Sequence, residues 1–214
     1  EKPLNIFGPK GIKEIITSYP TLNGGVRDYT EFQSQLLERW LSTDEVINQF
    51  LVHYKTGAVI PQELVAKIKK AATFNQGFGT TEYLASALMD MKLHLADPEN
   101  IDIDAFERQT LADLKMPTEL PMRHRTPHFG HVFSGEGYAT AYYGYMWADV
   151  LTADAAEAFQ EAPGGFYDKE VAERLVKYLF EPRNSMDPAE AYRLFRGRNA
   201  EKEALMRDRG FPVN

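Results

Sequence analysis

Cysteine is absent from the 214 residues. That removes disulfide frameworks and thiol chemistry from consideration, while leaving the redox compartment open. No apolar run approaches the roughly 18 residues that a membrane-spanning helix needs. Basic residues are in the minority, 24 Lys and Arg against 31 Asp and Glu, for a net charge of −7. An acidic surface argues against nucleic acid or an anionic membrane as the main partner. Several catalytic signatures are missing as well. Neither Gly24-Gly25-Val26-Arg27 nor Gly77-Phe78-Gly79 has the spacing of a phosphate-binding loop, and no Gly-x-Ser-x-Gly elbow occurs. Nowhere do two histidines stand in a His-Glu-x-x-His pattern. No signal peptide is visible, but the chain opens on Glu1 rather than Met, so a leader upstream stays open.

What remains is an ordinary globular composition, 43% hydrophobic and 26% charged, in a chain long enough to bury a real core. Residues 1–27, rich in Pro and Gly, read as irregular, with room for a short helix over about 11–18. From residue 28 to 214 the pattern is helical. Tyr29, Phe32, Leu36, Leu37 and Trp40 recur at helical spacing behind Asp28, a candidate cap. Thr43 opens a second helix with Val46, Ile47, Phe50, Leu51 and Tyr54 on its face, ended by Gly57; Pro61 opens a third through Leu64, Ile68 and Phe74. Gly77-Phe78-Gly79 then predicts a break, with Thr80 or Thr81 capping a fourth helix to Leu95. Asp102 or Asp104 starts a fifth. Residues 116–136 read as one long loop, a length that usually signals function or disorder. Helices over about 138–161, 168–180, 187–197 and 200–209 complete the chain. No convincing alternating strand appears, so the expectation is an all-α, multi-helix bundle with one core.

The chemistry concentrates in Ser134 to Trp147, which holds four of the eleven tyrosines and follows a segment with three of the five histidines, His124, His128 and His131. Two readings stand side by side: an aromatic helix start packed inside, or a cleft surface that grips a ligand. Tyr138, Tyr142 and Tyr145 share a helix face at i, i+4, i+7. A phenol is a neutral donor at pH 7 and can stabilise an oxyanion without a charge to desolvate. Pro127 argues against a helical two-histidine metal site, so a loop histidine is better suited to hydrogen bonding. His53 and His94 sit singly on helices, where packing is the simpler reading. Glu31, Gln35 and Glu38 share one face; Glu31 suits the helix dipole or a metal ligand.

Four stretches carry a resemblance. They are Val26–Trp40, Phe74–Met91, Phe129–Val150 and Phe195-Arg196-Gly197-Arg198. In this order they resemble the zinc oligopeptidases that include thimet oligopeptidase, oligopeptidase A and bacterial peptidyl-dipeptidase, most of all the bacterial dipeptidyl carboxypeptidase branch. The resemblance spans about residues 19–211. It implies an all-α fold with a channel admitting short, unstructured peptides, and cytoplasmic or periplasmic members. It makes Glu31 the third zinc ligand, His131 the histidine of the mobile glycine-tyrosine loop, and Tyr138 and Tyr145 the tyrosines facing substrate. One of them would donate to the oxyanion, while the others, with Tyr142 and Gly137 beside them, would hold the peptide backbone.

The departures are as informative. The family's His-Glu-x-x-His helix belongs about 20–25 residues before Glu31, where this chain reads Asn5-Ile6-Phe7-Gly8-Pro9. The turn before Val26 is shorter than usual, the loop from His131 to Tyr138 is longer, with Glu136 the extra residue, and the large N-terminal lobe is absent. One glutamate cannot hold a catalytic zinc, which takes about three protein ligands. The expectation is therefore a chain that binds no zinc alone and is inactive alone. It is either a fragment of an active peptidase, an inactive peptide-binding relative, or a helical interaction module. A half-built channel would leave apolar surface for self-association.

Overall fold

The computed structural model describes residues 29–183 and 185–213, apart from the side chain of Glu136. The described residues form ten α-helices, several short 3-10 segments and one π-helical turn, joined by turns and irregular stretches, with no strand among them. The irregular segment 1–27, the short helix over 11–18 and the Asp28 cap lie outside the described residues.

The helices are α1 (Phe32–Glu38), α2 (Asp44–Phe50), α3 (Gln62–Ala71), α4 (Gln76–His94) and α5 (Ile103–Asp113), then α6 (Gly130–Phe133) and α7 (Gly144–Gln160), and finally α8 (Lys169–Leu175), α9 (Pro188–Arg196) and α10 (Lys202–Asp208). The core forms around α7. Its Ala148, Ala155, Ala156 and Ala158 are small enough to let neighbours approach closely, and Leu151 and Phe159 fill the remaining space. Phe32 and Leu36 of α1 are fully buried against it, and Trp40 stands edge-on to Phe159 with ring centroids 5.1 Å apart. The Trp40 indole also donates to Phe166 O at 2.8 Å, so its polar edge is satisfied. α8, the π-helical turn Val176–Phe180 that follows it, and α9 close the far side with Leu175, Phe180, Tyr192 and Phe195. On another flank Ala204 and Leu205 of α10 pack on Val150 and Ala153.

Cap chemistry explains several boundaries. Asp102, Asp168 and Asp187 each accept a backbone N–H three residues on, from Ala105, Val171 and Glu190. Gly197 ends α9 at φ 84°, a left-handed conformation that glycine adopts without strain. A buried polar knot ties this corner to α7. Asp154, fully buried, accepts from the Tyr192 hydroxyl at 2.7 Å. Arg198 Nη1 lies 2.7 Å from its other oxygen, a charge contact rather than an aligned hydrogen bond. The Phe-Arg-Gly-Arg stretch is therefore an anchor for the end of α9.

Four boundaries differ from the sequence expectation. The second helix stops at Phe50 instead of reaching Gly57. The chain turns back there, pairing Val52 with Val59 in an isolated antiparallel bridge. His53 sits in that turn, its ring Nδ1 accepting the N–H groups of Lys55 and Thr56, and local capture of this kind competes with helix. The apolar residues Phe50, Tyr54, Leu64, Ile68 and Phe74 are exposed rather than inward. Gly77-Phe78-Gly79 does not break a helix but lies within α4; the break comes earlier, at Asn75, with φ 54°. The supposed caps Thr80 and Thr81 are inside as well, and Thr81 bonds back to Gly77 O. Finally, the long helix begins at Gly144, not near 138, because Thr140 takes φ 59° and bends the chain before it.

Two glycines give opposite expectations. A Cβ at Gly79 meets nothing within 4 Å, so Gly79→Ala should stabilise the protein by about 0.5–1 kcal/mol. A Cβ at Gly164 would come within 2.8 Å of the Asp168 backbone, so Gly164→Ala should cost about 1–3 kcal/mol. Urea unfolding followed by circular dichroism checks both, and equal signs would contradict the helix placement.

Candidate functional site

The residues between α5 and α7 are fixed from two helices. Glu107 of α5 is buried, and its Oε2 accepts both the Thr126 N–H and the Thr126 hydroxyl at 2.8 Å. This pins the 3-10 turn Thr126–His128 ahead of α6. Burial alone would push the Glu107 carboxyl up, but the two Thr126 hydrogen bonds and nearby Arg125 outweigh it and hold it below its ordinary value. The expected uninterrupted loop over 116–136 thus contains a turn and the short helix α6, with Phe129 and Val132 buried against Ala87 of α4.

α6 presents His131 to solvent, where it meets three tyrosines. The His131 ring is 4.4 Å from the Tyr138 ring, 5.5 Å from Tyr142 and 5.7 Å from Tyr145, edge-on in each case. Tyr138 and Tyr145 are parallel at 5.9 Å. The Tyr145 hydroxyl lies 3.1 Å from His131 Nε2 and donates to the Tyr138 hydroxyl at 3.1 Å. With that donation fixed, His131 Nε2 carries the hydrogen given to Tyr145, and the bonds run in one direction, His131 to Tyr145 to Tyr138. The three tyrosines were expected on one helix face. Only Tyr145 is on α7, in its first turn. Tyr138 stands in a 3-10 turn, and Tyr142 in the bend that Thr140 creates.

Tyr142 occupies a different layer from its neighbours. Its ring is buried, stacked on Tyr83 at 5.1 Å and edge-on to Phe129 at 4.8 Å. It forms the floor beneath His131, while Tyr138 and Tyr145 remain partly accessible and Gly137 is exposed. A Cβ at Gly137 meets nothing within 4 Å. The Tyr83 hydroxyl donates to Tyr142 O and receives the Met146 N–H at 3.3 Å, tying α4 to the start of α7.

Glu31, at the head of α1, is partly exposed and accepts from Ser34 at 3.1 Å. One turn on, Gln35 Nε2 donates to Tyr145 O at 3.2 Å, which brings α1 against the tyrosine cluster. Gln35 Oε1 is buried without a hydrogen-bond partner among the described residues. Glu38, the third member of the predicted face, is exposed. Burial, the hydrogen bond to Tyr138 and the negative charge of Glu31 together push the Tyr145 phenol well above its ordinary value. Tyr145 therefore stays a neutral donor throughout the physiological range.

The other histidines do not join this cluster. His124 stacks on Phe129 at 5.1 Å, and His128 is exposed in its turn. Among the described residues no group of three His, Asp or Glu could hold a metal ion. A catalytic zinc takes about three protein ligands, so the described residues do not fit that ion on their own. Sequence reasoning also missed Asp90, Glu107 and Tyr83, whose spacing along their helices marks them only as helical residues. Their roles come from long-range contacts.

The chain matches the model of peptidase family M3 over residues 12–211. It is 34% identical to dipeptidyl carboxypeptidase of Escherichia coli over 201 residues, 91% of this chain but 29% of that protein. It is 31% identical to Escherichia coli oligopeptidase A over 209 residues, 94% of this chain and 30% of that protein. The organellar oligopeptidase A of Arabidopsis thaliana is 34% identical over 192 residues, 86% of this chain and 24% of that protein. The chain therefore spans less than a third of the length of these relatives.

Two titrations test the geometry. A phenol whose folded value is raised contributes stability below its unfolded value, near 10, and that contribution is lost as the pH rises through the folded value. Burial also raises Tyr83, Tyr142 and Tyr192, so alkaline absorbance titration should show several late-ionising tyrosines, and Tyr145→Phe should remove one of them. Glu107 has the opposite sign. Its lowered carboxyl stabilises the fold above about pH 4.3 and loses that contribution as the pH falls through the folded value. Acidification should expose residues 116–130 to proteolysis in the wild-type chain, and Glu107→Gln should make that exposure independent of pH.

Proposed function

The chain belongs to peptidase family M3, a family of zinc metallopeptidases, and on that premise we propose that its tyrosine–histidine cluster is the substrate-holding and oxyanion-stabilising half of a peptide hydrolase site. The observation that carries this reading is the directed pair of hydrogen bonds from His131 through Tyr145 to Tyr138, beside the Glu31 carboxylate. In the family's chemistry zinc polarises the scissile carbonyl and activates water. The described residues offer one candidate ligand, Glu31, and the sequence contains no His-Glu-x-x-His.

What the chain's own groups can do is narrower and well defined. Tyr138 and Tyr145 are neutral phenols, partly accessible and joined directly by a 3.1 Å hydrogen bond in which Tyr145 donates, so the donor of the pair toward a ligand is the Tyr138 hydroxyl. Donors fixed in advance of the reaction stabilise developing negative charge without reorganising. His131 keeps Tyr145 oriented by supplying its incoming hydrogen bond. Gly137 leaves the approach to the backbone unobstructed. The ligands proposed are short, unstructured peptides. Removal of C-terminal dipeptides is the finer proposal, drawn from the dipeptidyl carboxypeptidase relative. The compartment proposed is cytoplasmic or periplasmic; no helix among the described residues is long and apolar enough to cross a membrane.

The runner-up reading is a peptide-binding or helical interaction module without hydrolysis. It draws on the substituted stretch at residues 5–9. It also draws on the exposed apolar residues of the α2–α4 region, where Tyr54 is 84% and Phe74 75% accessible. These residues also underlie a proposed self-association of the chain.

A fluorogenic peptide assay, run with added zinc, and calorimetric titration with an uncleaved peptide separate the readings. The 214-residue chain should bind peptide and leave it intact, and Tyr138→Phe combined with His131→Ala should weaken binding about tenfold, or 1.4 kcal/mol. Zinc-dependent cleavage by this chain would replace the half-site reading with a complete enzyme. Binding that is indifferent to both substitutions would favour the interaction module.

A further inference from the structure

We infer that Asp90 and His94, one turn apart on α4, are positioning residues that hold both halves of the His131–Tyr138–Tyr145 cluster in register. Asp90 is 1% exposed, so a carboxylate there requires partners. It finds them on the far side of the cluster. Its Oδ1 accepts the Thr140 N–H at 3.0 Å and its Oδ2 the Tyr142 N–H at 3.0 Å. Thr140 is a β-branched residue at φ 59°, a left-handed conformation that such residues rarely adopt. A buried charge bonded to the two amides around this bend holds it in place. The bend in turn sets where Tyr138 leaves its 3-10 turn and where Tyr145 enters α7.

His94 serves the other half. Its Nδ1 lies 2.9 Å from Asp90 Oδ1 and 2.9 Å from Asp90 O, so Nδ1 carries the hydrogen and orients the ring. The ring lies flat against Phe133, with centroids 5.3 Å apart and 17° between planes. Phe133 is two residues after His131 on α6, and it also packs edge-on against Phe129. One turn of α4 therefore grips the bend at 140–142 through Asp90 and the helix bearing His131 through His94. Neither side chain hydrogen-bonds or stacks with His131, Tyr138 or Tyr145, which is why they position rather than act.

The experiment compares wild-type protein with Asp90→Asn, His94→Phe and His94→Ala. The Asp90→Asn substitution retains the side-chain shape and one acceptor, whereas His94→Phe retains the stack without the hydrogen bond. Three quantities are read: amide exchange at residues 140 and 142 by NMR, exchange at Ala155 and Leu175 in the core, and affinity for an uncleaved peptide. Asp90→Asn should speed exchange at 140 or 142 at least tenfold, leave Ala155 and Leu175 unchanged, and weaken peptide binding severalfold. His94→Ala should shift the His131 imidazole resonances, and His94→Phe should restore them at least in part. Unaltered exchange at 140 and 142 in Asp90→Asn would overturn the inference, as would acceleration spread equally to Ala155 and Leu175. The affinity arm rests on the proposed peptide site; the exchange and imidazole arms do not. Absence of peptide binding by the wild-type chain would sink that site while the NMR data still decide the positioning role.

Discussion

A helix surrounded by others has no face on which to place its polar groups, and α7 lives under that constraint. α1, α8, α9 and α10 all pack around it, and nearly every residue from Gly144 to Phe159 is buried or partly so. Such a helix can approach its neighbours closely only with small residues, which accounts for Ala148, Ala155, Ala156 and Ala158. Each buried polar group then needs a designated partner. Thr152 lies 3.4 Å from Phe32 O, and Asp154 takes the Tyr192 hydroxyl and the charge of Arg198. These demands fix where α1 and α9 must lie. Because Tyr145 is in the first turn of the same helix, they also fix where Tyr145 stands in the candidate site. Truncating Phe32 would cost about 3–5 kcal/mol by cavity formation, and the effect would reach the site through α1 and Gln35.

Much of this was legible in the sequence where periodicity was strong. α5, α8, α9 and α10 begin or end close to the expected residues, since an Asp cap or a left-handed glycine states its geometry locally. The errors share a physical cause. Gly77 and Gly79 look like breakers because glycine is costly in a helix, yet α4 absorbs roughly 2 kcal/mol for the pair because its later turns bury Ala85, Ser86, Ala87 and Met89. Conversely, Val46 to Tyr54 has helical spacing, but Ile47 is buried while Phe50, Leu51 and Tyr54 are exposed, and turn chemistry at His53 prevails. Pattern signals amphipathicity; the presence of something to pack against decides whether the pattern is used.

The candidate cluster was legible as a set of neighbouring residues but not as a geometry. Tyr138, Tyr145 and His131 do converge, though not by sharing a helix face. Their convergence depends on the left-handed Thr140, a residue type from which no reader would expect that conformation. Tyr142 belongs to the same stretch by sequence and to the floor by structure. What places it there is Tyr83, 59 positions away, and no local pattern encodes a contact at that separation.

Buried carboxylates are the common device behind these irregular segments. Asp90 takes the amides around the 140–142 bend, Glu107 takes both donors of Thr126, and Asp154 secures the end of α9. Each sits on a regular helix, and each satisfies irregular backbone or side chains that have no ladder of their own. A buried charge is a poor source of net stability, since desolvation offsets much of the attraction. It is an effective source of specificity, because any competing loop conformation leaves that charge unpaired at a cost of several kcal/mol. Hydrophobic packing alone would tolerate several arrangements of an aromatic-rich, glycine-bearing loop. Directional bonds from fixed helices select one. A cluster of neutral phenols needs that selection, because a donor displaced by about 1 Å no longer meets the geometry of a hydrogen bond.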